Sequence, residues 1–278
     1  MSNFLRVDEL IDLLASGVPV RLIDVRWRLD RPDGHSEYLS GHIPGAVYVP
    51  LDQELAAHGR AHEGRHPMPS TESLQEAARR WGVRGGDVVV AYDDAKGVSA
   101  ARAWWLLRQA GVDVRVLDGG LQAWVGAGYE LSSDEVELDR GDVVLTEIGA
   151  DAISIDEAAA FPASGVLLDV RAAERYRGET EPLDPVAGHI PGAVNVPMTS
   201  HLDADGRLVD AATLRATFAA AGVTPGTPVA AYCGSGVTAA HTALVLDAIG
   251  IPAKVFPGSW SQWSNTPGRP VATGPQPG

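Results

Sequence analysis

The sequence predicts an α/β protein of two tandem domains, each a parallel sheet flanked by helices. Two observations support this prediction. Blocks of the first half return in the same order about 140–150 residues later, and stretches typical of strands alternate with stretches typical of helices. Because the repeat is as long as a whole domain, it indicates a duplicated domain rather than a solenoid of short repeats.

Paired blocks of sequence define the duplication. The first-half segments are RLIDVRW (21–27), SGHIPGAVYVP (40–50), DVVVAYDD (87–94) and VRVLDGGLQAW (114–124). Their second-half partners are VLLDVRA (166–172), AGHIPGAVNVP (187–197), TPVAAYCG (227–234) and AKVFPGSWSQW (253–263). The sequence therefore predicts domains at 1–130 and 153–278, and it predicts that the polar stretch 131–152, which has no counterpart, links them.

The elements follow the same order in both halves. A short helix (8–15 and 156–161) precedes a strand that ends in Asp-Val-Arg, and the GHIPGA turn leads into a second short strand. An amphipathic helix follows at 72–81 and 211–221. The next strands, VVVAY and PVAAY, are almost wholly apolar, which is typical of parallel strands buried on both faces. A helix ended by glycine, a last strand and a tryptophan-bearing helix complete each half.

Composition narrows the class of protein. The chain has 278 residues, of which 45% are hydrophobic and 21% charged, so it can form two globular cores. Its net charge of −14 argues against a nucleic-acid partner, whose phosphates need a basic face. We find no signal peptide, no apolar run of membrane-spanning length and no second cysteine for a disulfide, so we expect a cytoplasmic protein without a membrane partner. Metal-ligand spacing and nucleotide-binding loops are also lacking, so we expect no metal or cofactor.

The only cysteine, Cys233, lies in the stretch AAYCGSGVTAAH, between a buried strand and a predicted helix. Ligands of open α/β sheets bind beyond the carboxyl ends of the strands. A helix that starts near Val237 would direct its partly positive N-terminus at the sulfur and stabilise a thiolate. Glycines on both sides of Ser235 let the backbone amides turn inward. We therefore predict an anion cradle around a nucleophilic thiolate, formed by Gly234, Gly236, Val237 and Thr238.

The first half provides an internal comparison for this loop. A free cysteine is usually a small buried hydrophobic residue, and the residue type alone favours that structural role over catalysis. The matching segment AYDDAKGVSAAR has Asp93 where the second half has Cys233. Because a packing position would not accept a carboxylate, we interpret Cys233 as catalytic and the first domain as catalytically silent.

The chain resembles two-domain rhodanese-type sulfurtransferases, most nearly the 3-mercaptopyruvate sulfurtransferases. The resemblance lies in the duplicated domain, the DVR and GHIPGA blocks, the DGG or PGSW turn and the CGSGVTA loop. The resemblance covers essentially the whole chain. It implies that the cysteine of the second domain takes a sulfane sulfur from a small donor and becomes a persulfide. The outer sulfur then passes to cyanide or to a thiol, with thioredoxin among the candidate acceptors.

The resemblance also implies a set of catalytic residues. The loop CGSGVT is similar to that of the 3-mercaptopyruvate enzymes, whereas thiosulfate-preferring members carry basic side chains after the cysteine. The Ser–His–Asp set of the 3-mercaptopyruvate enzymes matches Ser235, His66 and Asp52, which the resemblance places where the two domains face each other. His58 and His62 lie in the same loop as His66 and are alternative candidates for the histidine.

Substrate binding is assigned by the same resemblance. Arg175, in RYRGETEP, matches the arginine that grips the donor's carboxylate or sulfonate, a task that suits a guanidinium fork. Arg177 is a neighbour, and Trp260 is expected to wall the pocket. The animal enzymes carry a second arginine further on, where this chain has Leu183 and Asp184. A second contact to the donor is therefore missing or supplied from elsewhere in the chain.

Three other functions remain open at this point. The first is thiosulfate:cyanide sulfur transfer, which differs only in the donor. The second is a cysteine phosphatase, whose loop needs an arginine six residues after the cysteine, where this chain has Ala239. The third is a sulfur carrier or binding module without turnover. The Asp–Arg pair of each DVR block and the histidine of each GHIPGA turn occur in both halves, so we interpret them as structural; they are Asp24, Arg26, Asp169, Arg171, His42 and His189.

Overall fold

The computed structural model describes residues 3–278, and the chain divides into two compact units. Unit 1 contains the described residues up to 57 together with 68–150 and 205–207, and unit 2 contains 58–67, 151–204 and 208–278. The loop segment 58–67, which belongs to the first half of the sequence, is thus part of the unit that carries Cys233. Across residues 3–278, no helix combines the length and the apolar character needed to cross a membrane.

Unit 1 is a parallel sheet flanked by helices. Its strands are β1 (Phe4–Leu5), β2 (Val20–Asp24), β3 (Val47–Tyr48), β4 (Val88–Tyr92) and β5 (Asp113–Leu117). Its helices are α1 (Val7–Ala15), α2 (His35–Ser40), α3 (Leu51–Glu54), α4 (Thr71–Arg80), α5 (Val98–Gln109) and α6 (Gly120–Gly126). In the described part of the unit the strand order is β1-β5-β4-β2-β3. Strand β4 is buried throughout, as its apolar sequence predicts.

Unit 2 repeats this architecture and confirms the predicted fold class. Its strands are β6 (Val166–Asp169), β7 (Val194–Asn195), β8 (Val229–Tyr232) and β9 (Lys254–Val255), all parallel in the order β7-β6-β8-β9. Its helices are α7 (Ile155–Ala160), α8 (Ala173–Tyr176), α9 (Ala211–Ala220), α10 (Val237–Ala248) and α11 (Ser259–Ser264). Short 3₁₀ turns occupy Ala61–Glu63, Phe161–Ala163 and Met198–His201. Strand β8 is buried along its whole length, and Cys233 follows it directly.

The DVR blocks connect strand ends to the GHIPGA turns. In unit 2, the Arg171 guanidinium binds Asp169 at 2.6 Å and the carbonyl oxygen of Gly188 at 2.6 Å. Arg26 binds Asp24 in the same way in unit 1, also at 2.6 Å. All four side chains are buried. Because both units contain this arrangement, the Asp–Arg pair of each DVR block has a structural role: it joins the end of a strand to the following turn.

The turn histidines are also buried and equivalent in the two units. His42 stacks on Tyr38 with ring centroids 3.9 Å apart, and His189 stacks on Tyr176 at 3.7 Å. In each pair the histidine Nδ1 bonds the carbonyl oxygen of the same tyrosine. These contacts fix the start of the turn, which agrees with a structural role.

The polar stretch after the first domain runs along unit 1 with irregular backbone. Ser132 bridges to His42, and the Gly141 N–H donates to the carbonyl oxygen of Arg79 at 2.7 Å. Val143 and Leu145 are buried. Residues up to 150 are therefore attached to unit 1 by backbone bonds and two apolar side chains.

Two buried histidines pack behind the helix that follows Cys233. His241 lies on α10, and its ring centroid is 6.3 Å from that of His201, which ends the turn Met198–His201. Neither ring nitrogen of His201, nor Nδ1 of His241, has a hydrogen-bond partner among the described residues. Burial lowers the pKa of His201 to about 3, with His241 as a second cause, and lowers the pKa of His241 to about 4. Both rings are therefore neutral in the folded chain at neutral pH.

This pair predicts a loss of stability in mild acid. The unfolded chain takes up protons on both rings near their ordinary pKa of about 6.5, whereas the folded chain resists protonation until about pH 4. The free energy of unfolding therefore falls as pH is lowered from about 7 towards 4. We expect the urea midpoint of His241→Leu to fall less between pH 7 and pH 5 than that of the parent chain. The matched control His58→Gln replaces an exposed histidine and should behave as the parent does; an unchanged pH dependence in His241→Leu would contradict the prediction.

Candidate functional site

Cys233 lies between the end of β8 and the start of α10, as predicted. Its side chain is buried, and Sγ accepts the N–H of Gly236 at 3.1 Å. The helix begins at Val237, directly after Gly236, whose φ of 84° lies in the left-handed region that glycine favours. The Cys233 N–H donates to the hydroxyl of Ser259 at 3.1 Å. The sulfur therefore accepts one backbone N–H at a helix N-terminus, and the Ser259 hydroxyl fixes the cysteine's own backbone.

The first turn of α11 holds the backbone of the cysteine loop through hydrogen bonds. The N–H of Trp260 donates to the Cys233 carbonyl at 3.0 Å, and the N–H of Ser261 donates to the Gly234 carbonyl at 2.9 Å. Ser259 has a φ of 52°, a strained conformation for a side-chain-bearing residue. The equivalent residue of unit 1 is Gly120, with a φ of 54°. Ser259 was not among the residues predicted from the sequence, although its alignment with Gly120 was an available signal.

The equivalent loop of unit 1 surrounds a carboxyl group with amide donors. The Asp93 carboxyl, fully buried, takes the place of Cys233. Burial raises its pKa, and the amide donors oppose that shift. Its two oxygens accept N–H bonds of 2.8–2.9 Å from Ala95, Gly97, Ser99 and Ala100. A loop of this shape can therefore direct several amides at one carboxyl group, and the matching cradle around Cys233 stays a prediction.

Two of the predicted catalytic residues are in contact. Nδ1 of His66 and Oγ of Ser235 lie 2.8 Å apart, and both side chains are buried in unit 2. His58 and His62 are exposed, so the geometry favours His66 as the site histidine. Asp52 lies on α3 in unit 1 and is partly buried. Its pairing with His66 stays a prediction.

The predicted substrate arginine, Arg175, is held by a buried carboxylate. Its Nε and Nη2 donate to Glu181 at 3.2 and 2.6 Å, and the Glu181 side chain is only 3% exposed. Arg171 also approaches Glu181, at 3.4 Å. Nη1 of Arg175 has no bond to other described residues and lies beside Gly234. Arg177 instead pairs with the exposed Glu179 at 2.7 Å, and its role in binding stays a prediction.

A second arginine, Arg65, lies beside the same glycine. A Cβ built on Gly234 would be 3.1 Å from Nη2 of Arg65 and 3.6 Å from Nη1 of Arg175. Nη1 of Arg65 forms an ion pair with Asp184. Burial raises the pKa of the Asp184 carboxyl, and the Arg65 charge opposes that shift. Arg65 was not among the residues predicted from the sequence, and its position directly before the candidate histidine was the available signal.

Trp260, predicted to wall the pocket, has its indole fully buried in the core of unit 2. Its ring N–H donates to the carbonyl oxygen of Val186 at 2.9 Å. The Arg171 guanidinium carbon lies 4.5 Å from the ring centroid. Through these contacts the indole fixes the start of α11, and a direct contact with the donor stays a prediction.

Comparison with known proteins identifies the domain type. The model of the rhodanese-like domain matches twice, at residues 6–127 and 154–266. SseB of Mycobacterium tuberculosis, provisionally named a thiosulfate sulfurtransferase, is 47% identical over 270 residues, which cover 96% of this chain and 95% of SseB. A Pseudomonas aeruginosa protein, provisionally named a 3-mercaptopyruvate sulfurtransferase, is 44% identical over 266 residues, which cover 91% of this chain and 92% of that protein.

A solved structure agrees with these relatives. The crystal structure of SseA from Escherichia coli, described among the 3-mercaptopyruvate sulfotransferases, superposes with a TM-score of 0.82 at 33% identity. The match covers 94% of this chain and 99% of SseA. The resemblance seen in the sequence motifs thus extends to the fold over nearly the full length of both chains.

Proposed function

The chain belongs to the rhodanese-like family and is a sulfurtransferase, and on that premise we propose that 3-mercaptopyruvate is its sulfur donor. The observation that carries the choice of donor is the 2.8 Å contact between Ser235 and His66. Ser235 follows the nucleophile by two residues, and its contact with His66 brings an imidazole to the same loop. A carbon leaving group needs a proton at this place. The thiosulfate leaving group, sulfite, needs no such donor.

In the proposed first half-reaction, the Cys233 thiolate attacks the sulfur of 3-mercaptopyruvate. An S–S bond forms, the C–S bond breaks, and its electron pair goes to the carbon that becomes the methyl group of pyruvate. The donor's S–H proton is released, and one proton is delivered to the leaving carbon. Ser235 and His66 move these protons, and Asp52 orients the imidazole. Arg175 holds the donor carboxylate.

The product is a Cys233 persulfide whose negative charge lies in the cradle of Gly234, Gly236, Val237 and Thr238. The N–H of Gly236, which already bonds Sγ, supports this assignment, as does the carboxylate in the equivalent loop of unit 1. In the second half-reaction cyanide or a thiol, with thioredoxin as a candidate, attacks the outer sulfur and releases the Cys233 thiolate. A free thiol at Cys233 suits the reducing cytoplasm.

Thiosulfate is a second candidate donor. The provisional name of the Mycobacterium tuberculosis relative favours it. The same cysteine would then displace sulfite, and Arg175 would hold a sulfonate instead of a carboxylate. The loop residues after the cysteine, Gly234 and Ser235, provide no charge for a dianion, which favours 3-mercaptopyruvate.

Intact-protein mass spectrometry tests the donor directly. The chain is incubated separately with 3-mercaptopyruvate and with thiosulfate, and Cys233→Ser is treated in parallel. We expect one added sulfur atom from 3-mercaptopyruvate, at most slow addition from thiosulfate, and none on the variant. Addition from thiosulfate alone would refute the proposed donor. Addition from neither would refute the sulfur-transfer mechanism and favour a binding module.

A further inference from the structure

The candidate site contains a second guanidinium that the sequence motifs do not provide. Arg65 and Arg175 come from distant parts of the chain, yet both lie beside Gly234, the residue after the nucleophile. Both belong to unit 2. The segment where a second arginine was expected has Leu183, which is exposed, and Asp184, which is buried and binds Arg65.

Backbone contacts fix Arg65 relative to the cysteine loop. The Arg65 N–H donates to the hydroxyl of Ser261 at 3.0 Å, and the Ser261 N–H donates to the carbonyl of Gly234 at 2.9 Å. Gly64 packs closely on the turn before α11, because a Cβ there would lie 2.8 Å from the carbonyl oxygen of Gly258. The backbone of Arg65 is therefore linked to the cysteine loop through a single residue, Ser261.

Two carboxylates pair with some of the nitrogens of the two guanidinium groups and leave others without a partner. Glu181 takes Nε and Nη2 of Arg175, and Asp184 takes Nη1 of Arg65. Nη1 of Arg175 and Nη2 of Arg65 bond no other described residue, and these are the nitrogens nearest Gly234. The Arg65 side chain is 29% exposed and that of Arg175 is 19% exposed, while Asp184 is 2% exposed. The unpaired N–H groups thus lie beside Gly234, on two arginine side chains that are partly exposed.

We propose that Arg65, positioned by Asp184, is the second cationic contact to the anionic end of the sulfur donor. This inference rests on the proposed function. Two guanidinium groups with free N–H donors on the same side form a fork that can bind two oxygens of one carboxylate or sulfonate. Arg65 thereby supplies the contact that Leu183 cannot make. Asp184 acts as a positioning residue, since its carboxylate pairs with the Arg65 guanidinium and also lies 3.7 Å from Nη2 of Arg175.

Steady-state kinetics with four variants tests the inference. Arg65→Gln removes the charge, Arg65→Lys keeps the charge without the fork, and Asp184→Asn removes the positioning carboxylate. The matched control Arg60→Gln alters an exposed arginine five residues upstream. We expect Arg65→Gln to raise KM for 3-mercaptopyruvate about tenfold or more with kcat changed less than about threefold, which indicates lost binding. Arg65→Lys should recover part of this loss, Asp184→Asn should raise KM several-fold, and Arg60→Gln should match the parent.

Inhibition by pyruvate separates binding of the anion from sulfur chemistry. Pyruvate has the donor's carboxylate and no sulfur, so its inhibition constant should rise with KM in Arg65→Gln. Thermal midpoints identify variants that are merely unfolded. If the parent chain is loaded with sulfur while Arg65→Gln and Arg65→Lys keep the parental KM and pyruvate inhibition, the inference is wrong and the proposed function stands. If the parent is loaded only by thiosulfate, the same KM test with that donor decides the role of Arg65. If neither donor loads the parent, both fail.

Discussion

Replacing Cys233 by serine is expected to abolish sulfur transfer, with kcat/KM for 3-mercaptopyruvate falling by roughly 10⁴-fold or more. A serine hydroxyl is not ionised at neutral pH and does not form a persulfide, so both half-reactions lose the atom on which they depend. The fold should survive, because Oγ can accept the Gly236 N–H that Sγ accepts now. Thiocyanate production from cyanide measures the activity, and the thermal midpoint checks the fold.

A chemical control is available because the chain has a single cysteine. Alkylation of the parent protein modifies only Cys233 and should reproduce the loss seen in Cys233→Ser. Prior loading with donor should change the mass of the alkylated product by one sulfur. Turnover in the serine variant at more than about one per cent of the parental rate would mean that the sulfur is carried by another group, and the proposed mechanism would be wrong.

The repeated elements could be predicted because local pattern determines them. The helix predicted at 211–221 is found at Ala211–Ala220, and the helix after the cysteine begins at Val237. Each depends on periodicity, capping or glycine within a short window, and the second half could be checked against the first. The cysteine loop was predictable for the same reason, since Asp93 stands at the equivalent position.

The two arginines beside Gly234 are brought together by contacts between distant segments, which no local pattern encodes. Arg65 and Asp184 are 119 residues apart in sequence, and each lies in an irregular loop. In the sequence, Asp184 only marked a region where the animal enzymes carry an arginine and this chain does not. In the structure it is the carboxylate that positions one. His66 was identified through resemblance, and its partner Ser235 is 169 residues away.

Replacing Gly236 by alanine is expected to lower kcat/KM by about 100-fold or more, because small displacements of catalytic groups have effects of that size. Gly236 has a φ of 84°, and a Cβ there would lie 2.4 Å from the carbonyl oxygen of Pro257. The clash is with backbone, so the loop must move away from the turn that supports it. The N–H that bonds Sγ then moves as well.

Gly226→Ala is the matched control, since Gly226 also has a φ of 84° in unit 2 and a Cβ there would meet nothing within 4 Å. Both variants bear the cost of a side chain at positive φ, about 1–3 kcal/mol, so both should show a lower thermal midpoint. Only Gly236→Ala should also lose sulfur loading, measured by intact mass after incubation with donor. Equal activity in the two variants would mean that the loop tolerates displacement, and the amide of Gly236 would then have no part in holding the persulfide. A loss confined to Gly236→Ala would show that sulfur transfer depends on the position of the cysteine loop, because only this variant has the clash with Pro257 and the cost of positive φ is common to both.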